Sequence, residues 1–349
     1  MPKPNVVERG RAIRRGLDFL YRFACDPDNF AECGSDLLNF FYLVATRAAD
    51  SELRRAARKM GRERAHRWRL DNPSIPADAD AHTLYDLLYG ADAANRLGPR
   101  DSAFKSRLRR AIRQFPVGHY LCFDPVSEPP PDDVPDRCRC GHWNVRGRKK
   151  CRRCGRRLLM LSRYQIWYVA LIRTYMAAGY GVSLGAHYRH VLKWLTHMRP
   201  YRASGDPTDP DFYDTVFAVT HVVYTLSDYD ARRLVPAWLP QEYEFLMQNF
   251  RVVMEIEDTE MVSEFLDTLK SLGMADAHAQ IRAGTRYLLS RQNADGSWSD
   301  TETGEVYRNY HATLCAVCGL LDYGWRGEGL SFPWLRPSLE KWAKMLRDS

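Results

Sequence analysis

The sequence predicts a mostly α-helical protein, because apolar residues recur at helical spacing along most of the chain and strand-like alternation is nearly absent. In residues 6–24, for example, Ile13, Leu17 and Leu20 fall on one helical face. Short connections with glycine or proline separate many helical segments, as at residues 179–181, and short connections join antiparallel neighbours. We therefore expect an array of helical hairpins.

The N-terminal region, residues 1–122, is expected to belong to this helical array. Its predicted helices are 6–24, 35–48, 50–70, 81–95 and 101–114. Five prolines among acidic residues then interrupt the pattern at residues 123–137. Because proline lacks an amide N–H and clashes inside a helix, this stretch predicts an extended linker. The linker and the cysteine-rich segment after it form a second region, residues 123–157.

The third region, residues 158–349, is expected to be the main helical core. Its predicted helices are 158–179, 185–198, 211–228, 237–256, 259–272, 276–291, 307–323 and 333–347. No strict sequence period relates these segments, which argues against a solenoid of identical repeats.

Composition and charge favour a cytoplasmic protein. The chain has no run of about 18 uninterrupted apolar residues, and its first residues lack the apolar part of a secretory signal. The nine cysteines are therefore expected to be free thiols or metal ligands rather than disulfides. Basic residues crowd 53–69 and 137–157, and the net charge is +8. These segments are either solvated surface or attract something anionic, such as nucleic acid, a membrane surface or a diphosphate.

Two close cysteine pairs give the strongest chemical signal in the sequence. Cys138 and Cys140 are followed, after ten residues, by Cys151 and Cys154. Four thiolates at this separation suit one tetrahedral Zn²⁺ ion. A segment so short and basic has almost no core, so zinc would supply its folding energy. Because the first pair has one intervening residue rather than two, His142 can replace one thiolate.

The cysteine-rich segment resembles a zinc ribbon, or a small zinc finger of the type that carries Trp and Asn between the pairs, here Trp143-Asn144. Its role stays open between a structural knuckle and a recognition element for nucleic acid or a protein. Recognition would use the basic residues Arg146, Arg148, Lys149, Lys150, Arg152 and Arg153. Such clusters provide affinity for phosphates but no sequence readout on their own.

The segment 292–298 (QNADGSW) predicts a turn at a helix end, in which Gly296 permits a left-handed backbone and Trp298 can pack. It resembles the QW motif of the terpene cyclase and prenyltransferase superfamily, whose turns join the helical hairpins of an α/α toroid. The resemblance covers roughly residues 276–323. It implies an α/α toroid, a barrel of helical hairpins, with the zinc knuckle inserted. The motif is structural in that superfamily, so it predicts fold and not chemistry.

Residues 310–316 (YHATLCA) resemble the segment of protein prenyltransferase β-subunits that supplies a zinc-ligand histidine, and His311 matches that position. In that family an Asp and a Cys, two residues apart on an earlier helix, complete the ligand set. Here no Asp-x-Cys occurs on an earlier predicted helix, and the nearest counterpart is the Asp-Tyr-Asp at 228–230. The aspartate-rich acid motif of the class II terpene cyclases is also missing.

Two predicted helices each carry a polar stripe with a histidine, and inner helices of a toroid project such stripes into a central cavity. The stripe on residues 211–228 consists of Asp214, Phe217, His221, Tyr224 and Asp228, and that on residues 307–323 of His311, Cys315, Cys318 and Asp322. Aromatic residues are dense nearby and suit either a packed core or a cavity for an apolar or cationic ligand. A lone histidine on an apolar helix is otherwise a hydrogen-bonded core residue.

These stripes predict a catalytic metal site with an open position, held by His221, His311 and a carboxylate. The metal would be Zn²⁺ or Fe²⁺, in addition to the structural zinc. The candidate carboxylates are Asp228 or Asp258 in the first place, then Asp214, Glu255, Glu257 and Glu260. Tyr224 is the candidate proton donor to the reacting group. The acidic run at 255–260 equally suits a helix N-terminus.

The function expected is that of a metal-dependent enzyme with a central cavity. Its substrate would be an apolar, isoprenoid-like small molecule, and its reaction a hydrolysis, elimination, cyclisation or transfer. The alternative is a non-enzymatic zinc-knuckle protein that binds nucleic acid or an acidic protein partner through its basic segments. The number of metal ions per chain separates the two.

Overall fold

The structure, a computed structural model, describes residues 4–201, 205–298 and 306–345. Helices make up most of this part of the chain, which confirms the prediction of a mostly α-helical protein. The helices are α1 (Pro4–Cys25), α2 (Pro27–Arg47), α3 (Ser51–Asp71), α4 (Ala81–Leu97), α5 (Ser102–Ile112), α6 (Val117–Leu121), α7 (Arg163–Tyr180), α8 (Tyr188–Leu192), α9 (Leu195–Met198), α10 (Phe212–Ser227), α11 (Pro240–Ile256), α12 (Thr259–Ser271), α13 (Ala279–Arg291), α14 (Val306–Leu320) and α15 (Arg336–Met345).

A two-stranded antiparallel sheet closes the base of the cysteine-rich segment. Strand β1 (Val134–Pro135) precedes the cysteines and β2 (Met160–Leu161) follows them, with Val134 opposite Leu161. Because β2 belongs to this segment, the helix predicted to begin at residue 158 begins only at Arg163, where the Ser162 hydroxyl accepts the Gln165 amide at 3.1 Å.

Other helix boundaries differ from the sequence prediction for local reasons. Helix α2 begins eight residues earlier than predicted, because Asp26 accepts the amides of Asp28 and Asn29 and Pro27 occupies the first turn. The helix predicted at 185–198 consists of the two short helices α8 and α9.

Six helices contact one another in a closed series, which we call the central cycle. In chain order they are α2, α4, α7, α10, α12 and α14, and α14 contacts α2 again. Most helices between them in sequence pack against two members each: α1 contacts α14 and α2, and α3 contacts α2 and α4. Helices α11 and α13 likewise pair with α10 and α12, and with α12 and α14.

Helices α12 and α14 approach especially closely. A Cβ atom added at Gly319 of α14 would lie 2.8 Å from the Ser263 carbonyl oxygen of α12. Only glycine allows this backbone separation. The close packing brings the N-terminal halves of the two helices, and the polar residues on them, side by side.

The turn at 292–298 ties three helices together. The Gln292 side-chain amide donates to the Ala12 carbonyl of α1 at 2.9 Å, and the Trp298 indole N–H donates to the Leu288 carbonyl of α13 at 2.6 Å. The Trp298 amide donates to the Thr313 hydroxyl of α14 at 2.9 Å. This turn therefore positions α14, which carries His311.

Candidate metal centres

The four cysteines of the knuckle converge on one point. The Sγ atoms of Cys138 and Cys154 are 3.5 Å apart, those of Cys140 and Cys151 are 3.7 Å apart, and all four lie within 4.8 Å of one another. A tetrahedral zinc site with bonds of about 2.3 Å requires sulfurs about 3.8 Å apart. The four side chains fit one zinc ion, and His142 is not part of this group.

Tight turns bring the sulfurs together. The Gly141 amide donates to the Cys138 carbonyl at 2.7 Å, and the Gly155 amide donates to the Cys151 carbonyl at 2.9 Å. Both glycines have positive φ, +80° and +72°, a backbone conformation that other residues rarely adopt. The hydrophobic cluster of this segment consists of two of these cysteines and Leu158. So small a core is consistent with folding that depends on a metal.

A second group of ligand-type side chains lies between α12 and α14. Glu260 Oε1 is 3.1 Å from His311 Nδ1, and Cys315 Sγ is 3.7 Å from the same nitrogen. Ligands of a tetrahedral zinc ion are separated by about 3.3 Å for an N–O pair and about 3.5 Å for an N–S pair. In the described part of the chain, this trio and the four knuckle cysteines are the two groups of three or more His, Cys, Asp or Glu side chains that lie close enough to hold one metal ion.

The trio does not have the geometry of a nucleophilic cysteine triad. In such a triad the thiol contacts one imidazole nitrogen and the orienting carboxylate contacts the other. Here Glu260 and Cys315 both approach Nδ1 of His311. The three ligand-type atoms lie within 4.8 Å of one another, close enough for one metal ion to contact all three.

Charge interactions within the trio are strong. Burial lowers the pKa of His311, but the charge and hydrogen bond of Glu260, together with the charges of Asp36 and Glu264, raise it above its ordinary value. Burial raises the pKa of Glu260, whereas the charge and hydrogen bond of His311 lower it to a value below the ordinary one. The Tyr307 ring stacks on the His311 ring, with centroids 4.3 Å apart. Without a metal, the two side chains form a partly buried ion pair.

His221, on α10, faces the same region as His311. Its Nδ1 atom is 2.8 Å from the Phe217 carbonyl, so Nδ1 carries the proton and Nε2 is free to act as a base or ligand. Burial lowers the pKa of His221 to about 4, against the effect of the Phe217 hydrogen bond, and the positive charge of His311 acts in the same direction as burial. His221 is therefore neutral near pH 7.

Glu264 lies one helical turn after Glu260 on α12 and close to His221. The Thr220 hydroxyl donates to its Oε2 atom at 2.5 Å, and Oε2 lies 4.0 Å from His221 Nδ1. Burial raises the pKa of Glu264 to about 8, and the negative charge of Glu260 contributes to the rise. Sequence reasoning missed Glu264, although its spacing of four from Glu260 on an apolar helix was a usable signal.

The remaining predicted site residues lie elsewhere or are already engaged. Asp228 ends α10, two helical turns beyond His221, where it accepts the Tyr175 hydroxyl at 2.5 Å and lies 3.3 Å from an Arg47 nitrogen. Asp258 is the N-cap of α12 and accepts the Met261 amide at 3.0 Å. The carboxylate beside His311 is that of Glu260.

Tyr224, the predicted proton donor, stands beside His221 with ring centroids 5.5 Å apart. Its hydroxyl is directed at the Glu264 carbonyl oxygen, 3.4 Å away. The structure thus brings together His221, His311 and Tyr224 and leaves Asp228 and Asp258 in structural positions.

Comparison of the chain with protein-family models, with curated proteins and with solved structures gave no match. Among the described residues, no helix is both long and apolar enough to cross a membrane.

Proposed function

We propose that the central cycle is the inner ring of an α/α toroid. Its six helices alternate in sequence with helices that pack against neighbouring pairs of them. The QW-like turn supports the same architecture, because it joins α13 to α14 and fastens both to α1. The polar surfaces of α10, α12 and α14 would then line one end of a central cavity.

We propose that the protein is a metal-dependent enzyme whose catalytic ion binds Glu260, His311 and Cys315. The observation that carries this proposal is that Glu260 and Cys315 both approach the same imidazole nitrogen. Three protein ligands with an open fourth position are typical of catalytic zinc sites. A zinc ion in such a site polarises a carbonyl group or lowers the pKa of a bound water.

The ligand types agree with those that the prenyltransferase resemblance implies, although two positions differ. That family uses an aspartate, a cysteine and a histidine, and the present trio is a glutamate, a cysteine and a histidine. The carboxylate comes from α12 and the cysteine lies one turn after the histidine on α14. Agreement in ligand chemistry supports Zn²⁺ over Fe²⁺, because thiolate ligands favour zinc.

His221 and Glu264 have protonation states suited to proton transfer beside this ion. His221 is neutral and can accept a proton at Nε2. Glu264 is protonated near pH 7 and can donate one. This pairing of a base and an acid favours hydrolysis or elimination over the transfer and cyclisation reactions.

The proposed substrate is an extended small molecule that is neutral or cationic. Tyr168 stacks on His221 and Tyr307 stacks on His311, which places aromatic rings next to both histidines. Burial raises the pKa of Tyr307, and the negative charges of Glu260 and Asp36 raise it further, so carboxylates lie close to this surface and would repel a diphosphate. An isoprenoid chain without its diphosphate would fit the same surroundings.

Metal analysis of the purified chain tests the catalytic site. We expect two zinc ions per chain, of which Cys315→Ser removes one and Cys151→Ser removes the other. Cys318→Ser is the matched control, because Cys318 is equally buried on the same helix but is not in the trio. One zinc ion per chain, unchanged in Cys315→Ser and His311→Gln, would refute the proposed enzyme site and leave only the knuckle zinc.

A further inference from the structure

The knuckle presents a dense basic surface to solvent. Its exposed basic side chains are Arg148, Lys149, Lys150, Arg152, Arg153, Arg156 and Arg157. None of them forms an ion pair with a carboxylate in the described part of the chain, whereas their neighbour Arg146 pairs with both Glu128 and Asp133. Their charges are therefore not neutralised within the molecule and can attract a polyanion.

The fold of the knuckle holds these charges in a fixed arrangement. Lys150 and Arg157 are opposite each other in an antiparallel bridge. The Cys151 amide donates to the Arg156 carbonyl at 2.8 Å, and the Leu158 amide donates to the Lys149 carbonyl at 3.0 Å. These bonds join residues 149–151 to residues 156–158 in a small hairpin around the second cysteine pair. A rigid basic surface binds phosphates at a lower entropic cost than a flexible basic tail.

An exposed aromatic ring accompanies the basic side chains. Trp143 is 41% exposed, and the Arg137 guanidinium lies 5.8 Å from the centroid of its ring. The next residue, Asn144, accepts the Arg152 amide at 2.9 Å, which fixes this loop against the second cysteine turn. A solvent-exposed indole within a basic surface provides a stacking platform for a nucleobase.

We infer that the knuckle is a binding surface for single-stranded nucleic acid, with phosphates on its exposed basic side chains and a base stacked on Trp143. A duplex is disfavoured, because residues 134–161 contain no helix and their two strands, of two residues each, are too short for a ribbon that enters a major groove. An acidic protein would use the charges but would not require an exposed indole. Binding of nucleic acid at the knuckle does not depend on the proposed metal site at His311.

The surface adjoins the central cycle. The Trp143 ring centroid is 6.3 Å from that of His82 near the start of α4. Burial raises the pKa of Asp80, the N-cap of α4, but hydrogen bonds from Thr83 and the positive charge of Arg137 lower it below its ordinary value. Nucleic acid bound to the knuckle would therefore lie next to the N-terminal end of an inner helix.

Fluorescence anisotropy with labelled oligouridylate and the 349-residue chain tests the inference. We expect affinity to fall with salt, with a slope of roughly −0.7 per phosphate contacted. The triple variant Arg148→Gln, Lys149→Gln, Arg152→Gln should bind at least about tenfold more weakly and lower the slope by about 2. The control triple variant Arg107→Gln, Arg110→Gln, Arg113→Gln makes the same charge change on exposed residues of α5 and its C-cap and should bind as the wild type does.

Trp143→Ala separates single-stranded nucleic acid from other polyanions. It should weaken oligouridylate binding about tenfold, whereas Trp143→Phe should retain most of it. Zinc content is measured in each variant to show that the knuckle is folded. Equal affinity for heparin, for anionic vesicles or for duplex DNA, unaffected by Trp143→Ala, would overturn the inference. Loss of binding in the α5 control would also overturn it, because binding would then follow net charge alone.

Discussion

At the scale of single residues, two glutamates one turn apart on α12 have opposite protonation states. Glu260 is beside His311, and the charge of the imidazole keeps it ionised. Burial of Glu264 and the negative charge of Glu260 raise its pKa more than the hydrogen bond donated by the Thr220 hydroxyl lowers it, so Glu264 retains its proton. Pairs of carboxyl groups whose surroundings drive their pKa values apart mark acid and base roles in enzymes.

Glu264 predicts a pH dependence of stability. A carboxyl group whose pKa is raised to about 8 binds its proton more tightly in the folded state than in the unfolded state. The free energy of unfolding is therefore highest below the unfolded pKa and falls as the pH rises toward 8. Between pH 6 and pH 8 the wild type should lose about 2 kcal/mol through this group.

Glu264→Gln should remove this loss, because the amide oxygen still accepts the Thr220 hydroxyl but the side chain does not ionise. Denaturant unfolding at pH 6 and at pH 8 measures the effect as the change in the difference between variant and wild type. Glu255→Gln, on the exposed surface of α11, is the control and should shift stability equally at both pH values. A pH-independent effect of Glu264→Gln would show that Glu264 is ionised throughout.

At the scale of helices, the close packing of α12 and α14 positions the metal trio. Gly319→Ala would place a methyl group against the Ser263 carbonyl and push the two helices apart. We expect a loss of about 1–3 kcal/mol in the free energy of unfolding and weaker binding of the second zinc ion. Gly10→Ala in α1 is the control, since nothing lies within 4 Å of its added Cβ, and it should stabilise by about 0.5–1 kcal/mol. Equal stabilisation by both substitutions would contradict the tight packing.

The knuckle should depend on its metal more than the helices do. Its own cluster of buried apolar residues is small, whereas the helices share one large core. We expect a chelator to abolish hydrogen-exchange protection at Cys151 and Leu158 while the helical circular dichroism changes little. Full protection of this segment after zinc removal, checked by metal analysis, would show that it folds without metal.

The sequence was most informative where a local pattern determines the structure. The cysteine spacing predicted the cluster of four thiols, and helical periodicity located most helices. The start of α2 was missed because Pro27 follows directly on a cap at Asp26, which left no gap to detect. For the candidate carboxylate the sequence favoured Asp228 or Asp258 and named Glu260 among the further candidates, and Glu260 is the one that lies beside His311. Which member of an acidic run points inward depends on how α12 is rotated about its axis where it packs against α14. The sequence alone does not specify that rotation.

At the scale of the whole molecule, contacts of α14 close the chain into one unit. This helix, near the C-terminus, packs against α1 and α2 near the N-terminus and against α12. The turn at 292–298 reinforces the closure through Gln292 and Trp298, which bond to α1, α13 and α14. A closed series of helices has no free end from which unfolding can begin, so we expect the N-terminal helices to unfold together with α14.

Trp298→Ala tests this cooperativity. Removing the buried indole should cost about 3–5 kcal/mol and should release the N-terminal helices as well as its immediate neighbours. Hydrogen exchange read out by mass spectrometry should then show loss of protection in α2 and α4 in parallel with α14, although neither helix contacts Trp298 through the bonds described above. Leu246→Ala, a buried substitution in α11 outside the turn, is the comparison for a general loss of stability. If Trp298→Ala exposes only α13 and α14 while α2 and α4 keep their protection, the two ends of the chain are stable independently and the closed series is not a single folding unit.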